Sequence, residues 1–189
     1  MKDAAVPVPS SEPAIPEPAK VVTTPAGIVS TFAGSGAPGS VDGAGLAASF
    51  SLPTGLAFDA SGNLFVGDAG DAPRIRKITG AGVVSSFTGS GSPGNEDGPA
   101  GSASLGAIAD LAFDASGNLS LADSANSTLR RVTPAGLVTT YAGSGIAGLA
   151  DGAGVAASFN MPCGLVFDAT GNLFVMDSLN HLLRKVVPE

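Results

Sequence analysis

Tryptophan is absent, tyrosine, histidine and cysteine occur once each, and only 13% of the residues are charged. A single cysteine, Cys163, excludes an intramolecular disulfide, and its residue type reads as a small half-buried apolar side chain. A single histidine excludes the multi-histidine centres that many metallohydrolases use. No apolar run approaches the roughly 18 residues a membrane-spanning helix needs, and no signal-peptide h-region opens the chain. Positive charge is scarce too: 9 Lys and Arg face 16 Asp and Glu, for a net charge of -7, so the field of the molecule repels phosphate backbones. Nucleic acid is thereby excluded as an expected partner.

Hydrophobic residues make up 44% of the chain, alongside 27 glycines and 14 prolines. That balance fits one domain with a real core, built from short strands and Gly-rich turns, and it predicts an all-β fold. Residues 1–20 stand apart. Positions 3–19 carry five prolines with no period of 2 or 3.6, which predicts an extended, unpacked tether and favours a secreted or surface-displayed, extracytoplasmic protein.

From residue 21 to 189 the chain repeats itself. TPAGIVSTFAGSG begins at Thr24, TGAGVVSSFTGSG at Thr79 and TPAGLVTTYAGSG at Thr133, spaced 55 and 54 residues apart. Each is followed by a Gly-rich loop containing an Asp-Gly pair, at Asp42, Asp97 and Asp151. Two apolar runs then flank a turn, as in LAFDASGNLFVGD from Leu56, and a charged-apolar segment such as RIRKI closes the unit. In the turn, Asp59 can accept backbone amides ahead of it and Gly62 can take positive φ, so the two runs pair as a hairpin. Alternation in RIRKI predicts a half-exposed strand with its arginines towards water. Four antiparallel strands per unit result. One such sheet cannot bury both faces alone, and stacking sheets around an axis is the propeller solution; a parallel solenoid fits less well because the hairpin imposes antiparallel pairing.

The third unit reads PCGLVFDATGNLFVMDSLNHLLRKV, with Asn180, His181 and Leu182 placed after Val-x-Asp-Ser. This resembles the NHL-repeat β-propeller family. The first unit keeps Pro53, Gly55, Asp59, Gly62, Asn63, Asp68 and Arg76 but has Asp71 near the asparagine position. The second keeps Asp114, Gly117, Asn118, Asp123, Asn126 and Arg130 but carries Ile108 and Asp110 in place of proline and glycine. The resemblance implies three four-stranded blades, and since members of the family commonly have about six, it predicts half of a six-bladed ring. The segment 29–34 would then pair with the strand around residues 183–187, with two chains associating head to tail under two-fold symmetry.

Strand alternation places the Asp-Gly loops and the loops after the second strands at one end of the sheets. Asp42, Asp97, Asp151, Asn126, Asn180 and His181 share that end and are the candidate ligand-binding residues. Asp-Gly is also a turn signal, and one carboxylate per loop makes a thin cation site. The D-x-S-x-N run at Asp59 starts like a calcium loop but has no acidic twelfth ligand. Asp68, Asp123 and Asp177 read as structural residues holding adjacent loops. Arg74, Arg76, Lys77, Arg130, Arg131, Arg184 and Lys185 crowd the third strands and read as a solvated, salt-bridged rim. No cofactor or metal ligand set is evident. The expectation is a non-enzymatic propeller for binding or assembly, with a protein, peptide or glycan ligand. The alternative is a metal-dependent hydrolase or lyase completed by dimerisation.

Overall fold

The Asp-x-x-Gly-Asn pentapeptides fold as their composition dictates. In the computed structural model, which describes residues 27–188, Asp59 Oδ1 accepts the N–H groups of Ser61 and Asn63 at 2.9 and 2.8 Å, and Oδ2 accepts the Asn63 amide at 2.8 Å. Gly62 takes φ 80°, where a side chain would be strained. Asp114 and Asp168 hold the same bonds to Asn118 and Asn172. The tether expected over 1–20 lies outside the described residues.

These turns set the order of strands. A short β1 (Gly43–Ala44) precedes the first unit, β2 (Pro53–Phe58), β3 (Leu64–Asp68), β4 (Arg74–Ile78) and β5 (Val83–Thr88). The second unit is β6 (Ile108–Phe113), β7 (Leu119–Asp123), β8 (Thr128–Val132) and β9 (Val138–Ala142). The third is β10 (Pro162–Phe167), β11 (Leu173–Asp177) and β12 (Leu182–Val186). They form three antiparallel sheets, ordered β1-β5-β4-β3-β2, β6-β7-β8-β9 and β10-β11-β12.

Two features depart from the expected three four-stranded sheets. The first sheet gains β1, because Gly43 and Ala44 of the Asp-Gly loop pair with Val84 and Val83. The third has only three strands, because residues 27–34 form no strand in the single chain. Residues 27–30 are the described part of a separate unit ending at Ser30, and they are exposed coil. A strand is stable only with neighbours for its backbone groups and a face to bury, and an isolated one has neither.

From Thr31 onwards the sheets pack in sequence, β2 beside β6 and β6 beside β10. Phe65 on the first sheet meets Phe87 edge-on at 4.9 Å and Phe113 of the second sheet at 5.0 Å. Around it Ile75, Leu105, Ile108, Leu111 and Leu121 close a core between sheets one and two. Ala122, Leu129, Phe159, Leu165, Leu173 and Val175 repeat that core between sheets two and three. The innermost strands approach closely. A side chain at Gly55 would run into the backbone of Asp110, and Thr54 Oγ1 donates to the Ile108 carbonyl at 2.6 Å. Asp110 itself, standing where the other units have glycine, accepts the Leu165 N–H at 2.8 Å and links the second sheet to the third.

Candidate functional site

The loops at one end of the sheets converge on three arginines. Arg76 and Arg130 are fully buried, which corrects the expectation that the third-strand arginines point to water. A guanidinium leaves solvent only when its charge is matched, and each of these finds two carboxylates and further loop oxygens for its Nη atoms, leaving Arg76 Nε and Arg130 Nε without a partner. Arg76 Nη2 donates to Asp42 at 2.7 Å and to the Val41 carbonyl at 2.9 Å, while Nη1 donates to Asp68 at 3.0 Å and the Ser49 carbonyl at 2.9 Å. Arg130 joins Asp97 at 2.6 Å, Asn95 at 2.9 Å and Asp123 at 3.5 Å. Arg184 joins Asp151 at 2.7 Å and Asp177 at 2.9 Å. Arg76 and Arg184 lie over the rings of Phe50 and Phe159, both at 5.2 Å, which gives each charge an apolar floor.

The second carboxylate of each clasp organises the loop leading into the innermost strand of its own sheet. Asp68, Asp123 and Asp177 accept the N–H groups of Ser51, Gly106 and Asn160 at 2.6, 3.0 and 2.7 Å. Asn126 and Asn180 extend the clasps: each donates to its neighbouring aspartate at 2.8 Å and to a carbonyl of the Gly-rich loop, Gly94 or Gly148, at 2.7 Å. His181 is exposed and closes its turn at φ 58° and ψ 36°, the position Ser127 takes in the second unit at φ 53°. The structure thus brings Asp97 with Asn126, and Asp151 with Asn180 and His181, to one end of the sheets. Asp42 joins the equivalent clasp of the first unit.

The first carboxylate also reaches the outermost strand. Asp42 Oδ2 accepts the Ser86 N–H at 3.0 Å and Asp97 Oδ2 the Thr140 N–H at 3.0 Å. Burial pushes the Asp42 carboxyl up, but the Ser86 N–H and the Arg76 guanidinium outweigh it and hold it below the ordinary carboxylate range. Asp97 is held down in the same way by Thr140 and Arg130 against the pull of burial. At Asp123 burial prevails over Gly106, Asn126 and Arg130, and the carboxyl is raised.

A second feature is fullest in the third unit, the first sharing it only at Leu52, the exposed counterpart of Met161. Ile146, Leu149, Met161 and Leu179 are exposed large apolar side chains, where the second unit has Ser92, Asn95, Ala107 and Ala125. Their loops are tied together by the Asn180 bond to Gly148 and by the Leu179 N–H, which donates to the Asn160 carbonyl at 3.1 Å. Sequence reasoning passed over these four residues, although comparison of the aligned repeats could have singled them out. On the neighbouring strand, Cys163 Sγ lies 2.7 Å from Ser178 Oγ. Among the described residues, no three His, Cys, Asp or Glu side chains gather as a metal site, and no helix is long and apolar enough to cross a membrane.

No family model and no curated protein matches the sequence. Solved structures do. A protein of unknown function from Bacteroides thetaiotaomicron aligns over 70% of this chain and 34% of its own at 26% identity, with a TM-score of 0.65. An auxiliary nutrient binding protein from Bacteroides ovatus aligns over 71% of this chain and 37% of its own, at 26% identity and a TM-score of 0.62. A virginiamycin B lyase from Staphylococcus aureus aligns over 72% of this chain and 42% of its own at 14% identity, with a TM-score of 0.44. The chain therefore spans about a third of the length of the first two structures. The two Bacteroides neighbours are β-propellers, and with them the three stacked antiparallel sheets place this chain in the β-propeller class.

Proposed function

We propose that this chain is a non-enzymatic binding module of NHL type, acting outside the cytoplasm, that holds a protein or peptide ligand on the loops of its third unit. The observation that carries this reading is the exposed apolar set Ile146, Leu149, Met161 and Leu179, present in one repeat and replaced by small or polar residues in its neighbour. Exposed apolar clusters on rigid loops are characteristic of recognition surfaces. Asp151, Asn180 and His181 border the set and supply a polar rim. The nutrient-binding description of the Bacteroides ovatus neighbour supports a binding role.

Selection of displayed peptides on the immobilised full chain tests the reading. The expected result is enrichment of apolar peptides whose affinity falls about tenfold or more, roughly 1.4 kcal/mol, in Leu149→Asp. No enrichment, or binding unchanged in both Leu149→Asp and Ile146→Asp, refutes it. Capture on a glycan array instead, with no peptide enriched, replaces the ligand class. Stoichiometric Zn²⁺ or Ca²⁺ in the purified protein would favour the metal-dependent hydrolase or lyase.

A further inference from the structure

We infer that the outer edge of β12 accepts residues 28–34 of a second copy of this chain as its fourth strand, so that two copies close one six-sheet ring through two equivalent joints. The inference concerns assembly and stands apart from the ligand reading.

The acceptor is an incomplete version of a site that appears whole twice. In the first two sheets the Asp-Gly loop and the clasp aspartate close on the outermost strand: Asp42 on Ser86, and Asp97 on Thr140, with Gly98 and Val138 exchanging both backbone bonds at 3.0 and 2.9 Å. The side chains of Asp42 and Asp97 are 49% and 47% exposed. Asp151 holds Arg184 but has no outer strand among the described residues, and its side chain is 96% exposed. Beside it lies an open cleft of about 1170 Å³ lined by Asp151, Gly152, Leu183, Lys185 and Val186.

Only one segment outside the three sheets has the sequence of the missing strand. IVSTFAG at 28–34 aligns with VVSSFTG at 83–89 and LVTTYAG at 137–143. The register of β8 on β9, in which Arg130 faces Thr140, Arg131 faces Thr139 and Val132 faces Val138, sets Thr31 opposite Arg184, Ser30 opposite Lys185 and Val29 opposite Val186. Thr31 then offers Asp151 the N–H and hydroxyl that Thr140 offers Asp97.

The way Gly34 is seated shows that this strand belongs to a preceding sheet. Gly34 and Ser35 donate to the Gly45 and Ala48 carbonyls at 3.1 and 2.8 Å. Gly143 and Ser144 donate to the Gly154 and Ala157 carbonyls at the same 3.1 and 2.8 Å, and the strand before Gly143 is β9 of the sheet before. The exposed end faces agree. Leu56 is 59% exposed on the first sheet, while its counterparts Leu111 and Leu165 are 3% and 9% exposed at internal junctions. Leu183, exposed on the third sheet, corresponds to Leu129 and Ile75, both fully buried. Each end of the three-sheet stack thus presents what the other end lacks, which makes the joint heterologous, the kind that forms a ring when its rotation closes.

Multi-angle light scattering on the full chain at micromolar concentration should give twice the 18.2 kDa chain mass. Thr31→Pro, which removes the N–H aimed at Asp151, and Leu56→Asp should each give the monomer mass with β-type circular dichroism retained. In a Cys163→Ser background, Ser30→Cys with Lys185→Cys should cross-link into a covalent dimer under oxidation. A folded wild-type monomer, an oligomer larger than two, a dimer indifferent to Thr31→Pro, or a cross-link within one chain would each overturn the inference. Peptide selection on the same preparations reads the ligand-binding proposal separately.

Discussion

Replacing Arg130 with methionine removes the charge at the centre of a clasp in which Arg130 and Asp123 have no solvent to fall back on. The guanidinium is fully buried, and Asp123 beside it is fully buried as well. Methionine keeps the aliphatic volume but leaves Asp123 short of one charged donor, the Ser104 carbonyl without the bond it receives at 3.3 Å, and Asp97 held only by Thr140. Breaking a buried pair by removing one partner costs about 3–5 kcal/mol. For a chain of this size that is a fall in Tm of roughly 6–20 °C. Thermal unfolding followed by circular dichroism, at one pH and protein concentration, measures it. Adding Asp123→Leu to Arg130→Met should recover part of the loss, because the stranded carboxylate goes with it. A single variant within about 1 kcal/mol of wild type, the range of a surface pair, would refute the view that the clasp anchors the loops.

Acid should loosen the same loops. Asp42 and Asp97 are held below the unfolded value of about 3.9, so their contribution is complete above that pH and is lost as pH falls through their folded values. Asp123, raised by burial, acts in the opposite sense: its contribution is complete at low pH and is lost as pH rises through its folded value. Tm measured from about pH 7 down to about pH 3 should decline less steeply in Asp42→Asn with Asp97→Asn than in wild type, and parallel curves would contradict this. At the innermost strands, Gly55→Val forces its side chain into the Asp110 backbone and should cost about 1–3 kcal/mol, read as a lower urea midpoint. An unchanged midpoint would show that the close approach is not a constraint.

What was legible in the sequence was local and repeated. The hairpins over Asp59, Asp114 and Asp168 follow from five adjacent residues, and three aligned copies turn a weak turn signal into a firm one. The stacking of sheets followed from the same repetition. The arginines were misread because alternation in RIRKI reports which residues share a face, not whether a face is covered. Arg76 is buried by a loop carrying Asp42, 34 residues away. The link from Asp110 to Leu165 depends on two strands 55 residues apart, so an aspartate in a glycine position read only as a departure from pattern. The third sheet's partner is a different case: the phase of the repeats pairs 29–34 with the strand around residues 183–187, but no local pattern encodes whether those two segments belong to one chain or to two.

The span of each clasp bears on how such a chain can grow. Asp42, Asp68, Arg76 and Ser86 fall within one repeat length, as do Asp97, Asp123, Arg130 and Thr140. Duplication or loss of a segment cut between an outermost strand and the next Gly-rich loop carries every charge away with its own counter-charge. A gain or loss that is not a whole number of repeats, cut inside that span, strands a guanidinium or a carboxylate in apolar surroundings. Recombination in such a gene is thereby steered towards whole repeats, and the buried ion pairs act as punctuation that keeps insertions and deletions in frame with the architecture.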